Sequence, residues 1–368
     1  MKETGGAGLK IVVFGLTVSS SWGNGHATLW RGLINALSAD GHQIVFVERD
    51  VPWYRDSRDL HALPGGRLLL YRDWSEVLAA KRALMDADAL LVTSYCPDAR
   101  AATALIEAEG RGAAVFYDLD TPVTLARLAA GEAVDYLPEA GLGSFDLVLS
   151  YTGGPALDAL SDRLGARRTA PLYGHVDPRA HRPVPPVGLF GGDLSYLGTY
   201  AADRQDTLAR LFVEPARRAP DRRFVLGGSS YPPDFPWQPN IFFMNHVAPP
   251  DHPAFFCSSR LTLNVTRADM SAMGWCPSGR LFEAAACGVP IVSDDWDGLG
   301  SFFTPGEEIL LAHTAEQVLA ALDRSDVELR RIADAARARV LAEHSSAVRG
   351  RELVGLLERA AAPAQAAA

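Results

Sequence analysis

One carboxylate stands inside an alanine-rich, apolar segment of the chain. Glu283 lies within Leu281–Cys287, and every other residue of that segment is apolar. Burying an ionised side chain without a partner is costly, so a buried Glu283 requires either a protein cation or a pair of ligand hydroxyls. A glutamate near the start of a helix is also favoured by the helix dipole while it is exposed, and that simpler interpretation stays open.

The residues around Glu283 predict a loop, a short helix and a buried strand that would hold it in place. Ser278 is suited to cap the helix, because its hydroxyl can accept a hydrogen bond from an amide of the first turn. Gly288 stands where a left-handed residue ends a helix, and Pro290–Val292 predicts the strand. The amides at the start of such a helix, with the positive end of its dipole, form a site for an anion.

Two further carboxylates follow a predicted strand in the first half of the chain. Asp118 and Asp120 come directly after Ala114–Tyr117, and open α/β sheets bind ligands beyond the carboxyl ends of their strands. The alternating spacing points the two side chains to opposite sides, which argues against a joint metal clamp. Either is a candidate general base, although Asp120 is equally suited to cap the helix that opens at Thr121.

Three more residues of the first half are candidates for the site. His26 begins a predicted helix after the polar loop Thr17–Gly25, where it could act as a base or contact a phosphate. A surface histidine is the alternative. Trp53 and Tyr54 follow the predicted strand Gln43–Glu48, and they would either bind an acceptor or cover the edge of the sheet.

Repeated strand–helix–strand units position all of these candidates. The units predict parallel strands, and a chain of 368 residues suits two domains. Proline density and lost periodicity in Gly174–Val187 indicate the linker. We therefore predict one domain over 1–180 and a second over 188–345, followed by a terminal helix at 346–361 and a frayed tail at its end.

Composition excludes several classes of protein. The net charge of −9 argues against a general nucleic-acid or anionic-membrane surface. The four cysteines form no C-x-x-C pair, and the spacing of His175, Asp177 and His181 in the linker fits no standard metal site. We expect a cytoplasmic monomer or homodimer without integral membrane association, because Ile11–Leu16 is too short for a signal peptide and no apolar run reaches the roughly 18–20 residues of a span.

The segment from Ser278 to Pro290 carries a family resemblance. Its pattern, Ser-x₄-Glu-Ala-Ala-Ala-Cys-Gly-x-Pro before an apolar strand, resembles the donor-binding segment of group 1 GT-B glycosyltransferases, and most of all the CgeB-like branch. The resemblance implies two Rossmann-like, doubly wound α/β domains that face each other across a cleft. The first would bind the acceptor and the second a nucleotide diphosphate sugar, with the terminal helix returning to the first domain.

The resemblance also implies roles for residues of the second domain. Glu283 would hold the nucleotide ribose, and the amides of Ser278 and Gly279 would face the diphosphate. Arg267 and Arg280 would neutralise the leaving diphosphate. The remaining donor-binding candidates lie in the loops after the predicted strands of that domain: Gly198, Thr199, Arg204, Ser229, His246 and Val247. Arg204 is equally suited to a solvated pair with a neighbouring aspartate.

The chain departs from the group 1 pattern at one position. Many of these enzymes have a Glu-x₇-Glu pair whose first glutamate binds the donor sugar, and that position is Trp275 here. The resemblance therefore implies sugar transfer to a small-molecule, glycan or protein acceptor, without metal or other cofactor, but not the identity of the sugar or the stereochemistry. A sugar-nucleotide epimerase on the same fold and a non-catalytic sugar-nucleotide binder stay open as alternatives.

Overall fold

The computed structural model describes residues 8–362, and the chain divides into two compact units. The first unit contains 8–173 and 346–362, and the second is Gly174–Ser345. The frayed tail that composition predicts lies beyond Ala362, outside the described residues. Within the described part of the chain, no helix combines the length and the apolar character needed to cross a membrane.

The first unit is built on a parallel seven-stranded sheet in the order β3-β2-β1-β4-β5-β6-β7. Its central strands are near-continuous runs of buried apolar residues, as expected for a sheet covered on both faces. The strands are β1 Lys10–Gly15, β2 Gln43–Arg49, β3 Arg67–Tyr71, β4 Ala89–Thr93, β5 Ala113–Asp118, β6 Leu147–Ser150 and β7 Thr169–Pro171. The helices between them are α1 Gly25–Ala39, α2 Pro52–Arg55, α3 Trp74–Met85, α4 Ala99–Glu109, α5 Thr121–Ala129 and α6 Pro155–Leu164.

The second unit has a parallel six-stranded sheet in the order β10-β9-β8-β11-β12-β13. Its strands are β8 Gly192–Leu197, β9 Phe224–Gly228, β10 Ile241–Asn245, β11 Ser259–Asn264, β12 Ile291–Ser293 and β13 Leu310–Leu311. Its helices are α7 Gln205–Leu208, α8 Glu214–Arg218, α9 His252–Cys257, α10 Ala268–Met273, α11 Gly279–Ala286, α12 Ala315–Leu322 and α13 Asp326–Glu343. The last helix of the chain, α14 Ser346–Ala361, belongs to the first unit.

Both sheets reverse their strand order at one point, as in doubly wound folds. The reversal lies between β1 and β4 in the first unit and between β8 and β11 in the second. Ligands of open α/β sheets bind beyond the carboxyl ends of the strands at such a point. The topology therefore directs attention to the loops after β1 and β4, and to those after β8 and β11.

The proline-rich segment that the sequence marks as a linker packs on the second unit. The Val176 amide donates to the His344 carbonyl at 3.0 Å, and the Val187 amide donates to Ser258 Oγ at 2.8 Å. Residues 174–180, which were predicted in the first domain, therefore lie in the second unit. The reason is that these backbone amides find their partners there.

The helical segment between β8 and β9 is interrupted in the structure. A 3₁₀ turn at Ala202–Arg204 precedes α7, and a π-helical turn at Ala209–Val213 separates α7 from α8. Pro215 has no amide hydrogen and cannot complete an α-helical bond to the residue four positions earlier. A wider turn before the proline accommodates the missing bond.

Candidate active site

The loops after β8 and β11 bring two arginines to the reversal point of the second sheet. Arg280, in the first turn of α11, donates from Nη1 to Asn264 Oδ1 at 2.8 Å and from Nε to the Leu197 carbonyl. Its guanidinium carbon lies 5.0 Å from the centre of the Tyr196 ring. Removal from water lowers the pKa of Arg280, but an arginine stays charged at neutral pH. The chain thus holds a fixed cation beside the end of β8.

Arg204 provides a second positive charge on the same side of Tyr196. It donates to the Tyr196 hydroxyl at 3.2 Å and to the Thr199 carbonyl at 3.0 Å. Among residues 8–362, neither Arg204 nor Arg280 forms an ion pair with a carboxylate. By contrast, Arg267 pairs with Asp203 at 2.9 Å. This aspartate already balances part of the positive charge that was predicted to neutralise a diphosphate.

Because Gly198 has no side chain, a ligand can approach the backbone closely at the end of β8. A Cβ atom there would lie 2.9 Å from Arg280 Nη2 and 2.7 Å from the Tyr196 hydroxyl. Gly198 is also held by the Tyr231 hydroxyl, which donates to its carbonyl at 3.0 Å. Thr199 Oγ1 and Ser229 Oγ are 3.3 Å apart, which brings three of the predicted donor-binding residues together.

The loops after β9 and β10 have unusual backbone conformations. Ser230 has φ of 68° and His246 has φ of 62°, in the left-handed region that non-glycine residues seldom adopt. Val247 is buried, and its carbonyl contacts His252 Nε2 at 3.1 Å. The carbonyl of this donor-binding candidate is therefore already engaged within the protein.

Helix α11 begins at Ser278 as predicted, but the predicted cap bond is wrong. Ser278 is the N-cap residue, with extended backbone angles, yet its hydroxyl accepts no capping hydrogen bond. Amides of the first turn, from Gly279 onward, are therefore left without a side-chain cap, as in helix starts that bind anions. Gly288 follows the helix with φ of 71°, and its amide donates to the Ala285 carbonyl at 2.9 Å, which agrees with the prediction.

Glu283 is largely buried, and its nearest charged or ionisable partners are histidines. Its side chain is 17% exposed, His181 Nε2 lies 3.9 Å from Oε1, and His252 Nδ1 lies 4.0 Å from Oε2. Neither ring nitrogen has a hydrogen-bond partner within the described residues 8–362, and burial lowers the pKa of His252. The glutamate is not the exposed, merely helix-stabilising residue of the simpler interpretation.

His181, which the sequence placed in a polar linker, lies next to Glu283 and His252. His181, Glu283 and His252 place one ligand atom each within 4.8 Å of one another, close enough to hold a metal ion. The sequence predicted only a polar linker at His181, and it did not single out His252. No local spacing joins these three residues, because they come from three separate segments of the second unit. Asp177, the acidic residue of the linker group, pairs with Arg179 at 3.0 Å.

Asp294 fixes the loop after β11 from the end of β12. Its carboxylate accepts hydrogen bonds from the Thr266 amide at 3.1 Å and the Thr266 hydroxyl at 3.0 Å. Burial raises the pKa of Asp294. Asp294 therefore positions the loop that carries Arg267. Sequence analysis missed this residue, although its location at the end of a predicted strand could have indicated it.

In the first unit, a buried glutamate shapes the loop after β1. Glu48 is fully buried and accepts hydrogen bonds from Thr17 Oγ1 at 2.8 Å, from the Val18 amide at 2.8 Å, and from the Ser19 amide at 3.0 Å and Oγ at 2.5 Å. Four donors satisfy the carboxylate, which offsets its desolvation. The loop is thereby fixed before it enters α1 at Gly25, one residue before His26.

The three predicted bases lie in one cluster at the reversal point of the first sheet. His26 Nε2 lies 3.8 Å from Asp120 Oδ2, and both side chains are partly exposed. The Asp120 amide donates to Asp118 Oδ1 at 3.1 Å, whereas Asp118 Oδ2 is buried and has no hydrogen-bond partner among residues 8–362. Because Asp118 has no exposed surface, the pair His26 and Asp120 is better placed to reach a substrate.

Tyr95 is a member of this cluster that sequence reasoning missed. It follows β4, its φ is 64°, and its ring lies 6.1 Å from the His26 ring and 5.1 Å from the Tyr136 ring. Burial and the neighbouring Asp120 raise the pKa of its hydroxyl. A strained backbone held by its surroundings is frequent at functional sites. The signal was available, since Tyr95 comes just after a strand next to the reversal point.

Replacing Asp118 with asparagine is expected to change how stability depends on pH. Burial raises the pKa of Asp118 from 3.8 to about 6. A carboxylic acid whose pKa is raised in the folded state stabilises that state fully at pH values below its pKa in the unfolded chain. This stabilisation is lost as the pH rises through the folded-state pKa of about 6. Wild type should therefore lose up to about 3 kcal/mol relative to Asp118→Asn between pH 3.5 and 7.5. Urea denaturation measured across this range tests it, and parallel stability profiles for the two proteins would contradict it.

Trp53 and Tyr54 lie on the short helix α2. Trp53 is 59% exposed, so it does not cover the edge of the sheet as the alternative interpretation required. Tyr54 is partly buried, and its ring lies 6.1 Å from that of Trp53. The pair offers an aromatic surface of the kind that sugar rings pack against.

Comparison with known proteins agrees with this architecture. Residues 204–355 match the model of a family described as glycosyl transferase-like. No curated protein matches the chain.

Solved structures are similar over nearly the whole chain. Sucrose-phosphate synthase from Thermosynechococcus elongatus is 14% identical, with 95% of this chain and 98% of that chain covered and a TM-score of 0.66. HepE from Anabaena, in complex with UDP and glucose, is 14% identical, with 95% and 100% covered and a TM-score of 0.67. An α-glucosyltransferase in complex with UDP and a 13-mer DNA containing an HMU base is 12% identical, with 95% and 100% covered and a TM-score of 0.69.

At these identities the structural likeness shows the fold. The chain has the α/β GT-B fold with two Rossmann-like units, which confirms the predicted fold class. The family match adds that residues 204–355 are similar to glycosyl transferase-like proteins.

Proposed function

We propose that this protein is a CgeB-like glycosyltransferase that moves a sugar from a nucleotide diphosphate sugar to a hydroxyl or amine of a small molecule, glycan or protein. The observation that carries the proposal is Glu283, a largely buried carboxylate one turn after the uncapped start of α11. Within residues 8–362 it forms no ion pair with an arginine or a lysine. The start of a helix favours binding of a phosphate, and a carboxylate favours binding of hydroxyl groups. Together they are complementary to the diphosphate and the ribose of a nucleotide diphosphate.

The second unit binds the donor. Glu283 accepts hydrogen bonds from the ribose hydroxyls, and Gly279 lies four residues earlier, about 6 Å along the helix axis. Its amide, with that of Ser278, faces the diphosphate. Arg280 and Arg204 stabilise the negative charge that develops on the leaving nucleotide diphosphate. A metal ion is not required for this step.

The first unit binds the acceptor and provides the base. Trp53 and Tyr54 pack against the acceptor, and the pair His26 and Asp120 removes the proton from the attacking group. Tyr95 and Asp118 position this pair. One similar glucosyltransferase was solved with DNA, but the net charge of −9 supports an acceptor other than nucleic acid here.

One observation favours a second candidate, a non-catalytic binder of sugar nucleotides. Trp275, in place of the usual first glutamate, has φ of 43°, and its ring packs so closely on Gly298 that a Cβ there would lie 2.5 Å from it. This rigid aromatic residue provides no carboxylate for the donor sugar. A binder would hold the sugar nucleotide without consuming it.

A thermal-shift screen in a chelating buffer tests the proposal. The protein is heated with UDP, GDP, dTDP, CDP and several of their sugars, and the sugar nucleotide that stabilises it is then incubated with candidate acceptors. We expect stabilisation by nucleotides of one base, because ligands that bind only the folded state raise the melting temperature. Acceptor-dependent release of nucleotide diphosphate indicates the transferase, and binding without release indicates the binder. Stabilisation by none of the nucleotides would contradict both.

A further inference from the structure

We propose that His181, His252 and Glu283 form a binding site for a transition-metal ion of the zinc class. The inference goes beyond the proposed function and does not require it, although the two share Glu283. It rests on three features of the structure: ring nitrogens without partners, the fixed tautomer of one histidine, and the composition of the donor set.

The first feature is that the two ring nitrogens next to Glu283 are buried and have no hydrogen-bond partner in the part of the chain that the structure describes. His181 Nε2 and His252 Nδ1 lie 3.9 and 4.0 Å from the two carboxylate oxygens, too far for hydrogen bonds. The His181 side chain is only 5% exposed. Buried polar atoms are nearly always paired, so two such atoms aimed at one carboxylate indicate a missing shared partner.

The second feature is the tautomer of His252. Its Nε2 lies 3.1 Å from the Val247 carbonyl, and a carbonyl can only accept, so Nε2 carries the hydrogen. Nδ1 of the neutral ring then presents its lone pair toward Glu283. Histidines that bind metals commonly donate their other ring N–H to a backbone carbonyl or carboxylate in this way.

The third feature is the donor set itself. Two histidines and one carboxylate, with the fourth position open, are a known arrangement at zinc centres. Ligand atoms bound tetrahedrally at about 2.0–2.1 Å would be about 3.3 Å apart. All three ligand atoms already lie within 4.8 Å of one another, so small side-chain rotations would bring them to bonding distance.

Metal binding would also connect three separate parts of the second unit. His181 comes from the proline-rich segment, His252 begins α9, and Glu283 lies in α11. An ion that binds all three stabilises only the folded arrangement. It would also engage the carboxylate that the proposed function assigns to ribose.

The experiment uses Co²⁺ as a visible probe of the site in the chelator-treated full-length protein. Four-coordinate Co²⁺ should give strong absorption bands in the visible range that saturate at one equivalent and disappear when Zn²⁺ is added. His181→Ala and His252→Ala should each weaken binding about 100-fold or more. His313→Ala removes an exposed histidine of the same unit and should bind as wild type does. Absence of these bands, or binding unaffected by the two site variants, would overturn the proposal.

Two further measurements keep the result interpretable. His181→Asn and His252→Asn replace the rings with smaller polar groups if the alanine variants do not fold, and circular dichroism reports the fold of each variant. Nucleotide stabilisation is measured separately in chelating buffer. A protein that responds to nucleotide but not to Co²⁺ or Zn²⁺ refutes the metal site alone, whereas the reverse response refutes the proposed function alone.

Discussion

Replacing Glu283 with alanine is expected to weaken binding of the cognate nucleotide diphosphate by about 100- to 1,000-fold. In the proposed complex the carboxylate accepts two hydrogen bonds from the ribose, and each charge-assisted bond contributes about 1.5–3 kcal/mol. The two bonds sum to about 3–6 kcal/mol, and the lower part of that range, about 3–4 kcal/mol, corresponds to this change in Kd. Titration calorimetry in chelating buffer measures it, so that any metal bound near Glu283 does not affect the result.

Two variants serve as controls for Glu283. Glu283→Gln keeps the shape and one acceptor oxygen, so its loss of affinity should be intermediate. Glu307→Ala removes an exposed carboxylate of the same unit and should leave affinity unchanged. Unchanged affinity in Glu283→Ala, with the fold intact by circular dichroism, would place the ribose elsewhere and remove the main support for the proposed donor site.

The sheets were largely predictable because their strands are buried on both sides. The strand Ala89–Thr93 begins with four consecutive apolar residues, and in the structure all five of its residues are buried. The edge strand Arg67–Tyr71 was not predicted, since only Tyr71 is fully buried and the run is short. Helix α3 after it begins with a complete capping box at Asp73 and Glu76, a local signal that could have revealed both elements.

Side-chain direction at the ends of strands was harder to predict. Glu48, at the end of the predicted strand Gln43–Glu48, points into the protein and accepts hydrogen bonds from the loop at Thr17–Ser19. A strand alternates its side chains between two faces, and sequence alone does not say which face is occupied at its last residue. Trp53, a few residues later, is by contrast exposed.

The environment of Glu283 depends on residues that are distant in sequence. The local pattern correctly placed the helix start at Ser278 and the left-handed residue at Gly288. It could not reveal that His181 and His252 meet at Glu283, because only the packing of the proline-rich segment and α9 against α11 brings them together. Local chemistry was predictable here, and the assembled group of side chains was not.

Replacing Asp120 with asparagine is expected to lower kcat about 100- to 10,000-fold while leaving donor binding unchanged. General-base catalysis contributes about that much, and asparagine cannot accept the proton or stabilise a protonated His26. The residues proposed to bind the donor lie in the other unit, so the Kd for the nucleotide should not change. Steady-state kinetics with a saturating donor, together with calorimetry for the nucleotide, separates the two effects.

Variants of His26 test whether His26 and Asp120 act together as the general base or whether one of them acts alone. His26→Ala should lower kcat as much as Asp120→Asn, and the double variant should lose little more, because residues that act as a unit are not additive. Asp135→Asn and His61→Ala replace exposed residues of the same unit and should retain full activity. If only Asp120→Asn is impaired, the aspartate is the base and His26, 3.8 Å away, has a lesser role. Wild-type kcat in both variants would show that the base, if the reaction uses one, is not in this cluster.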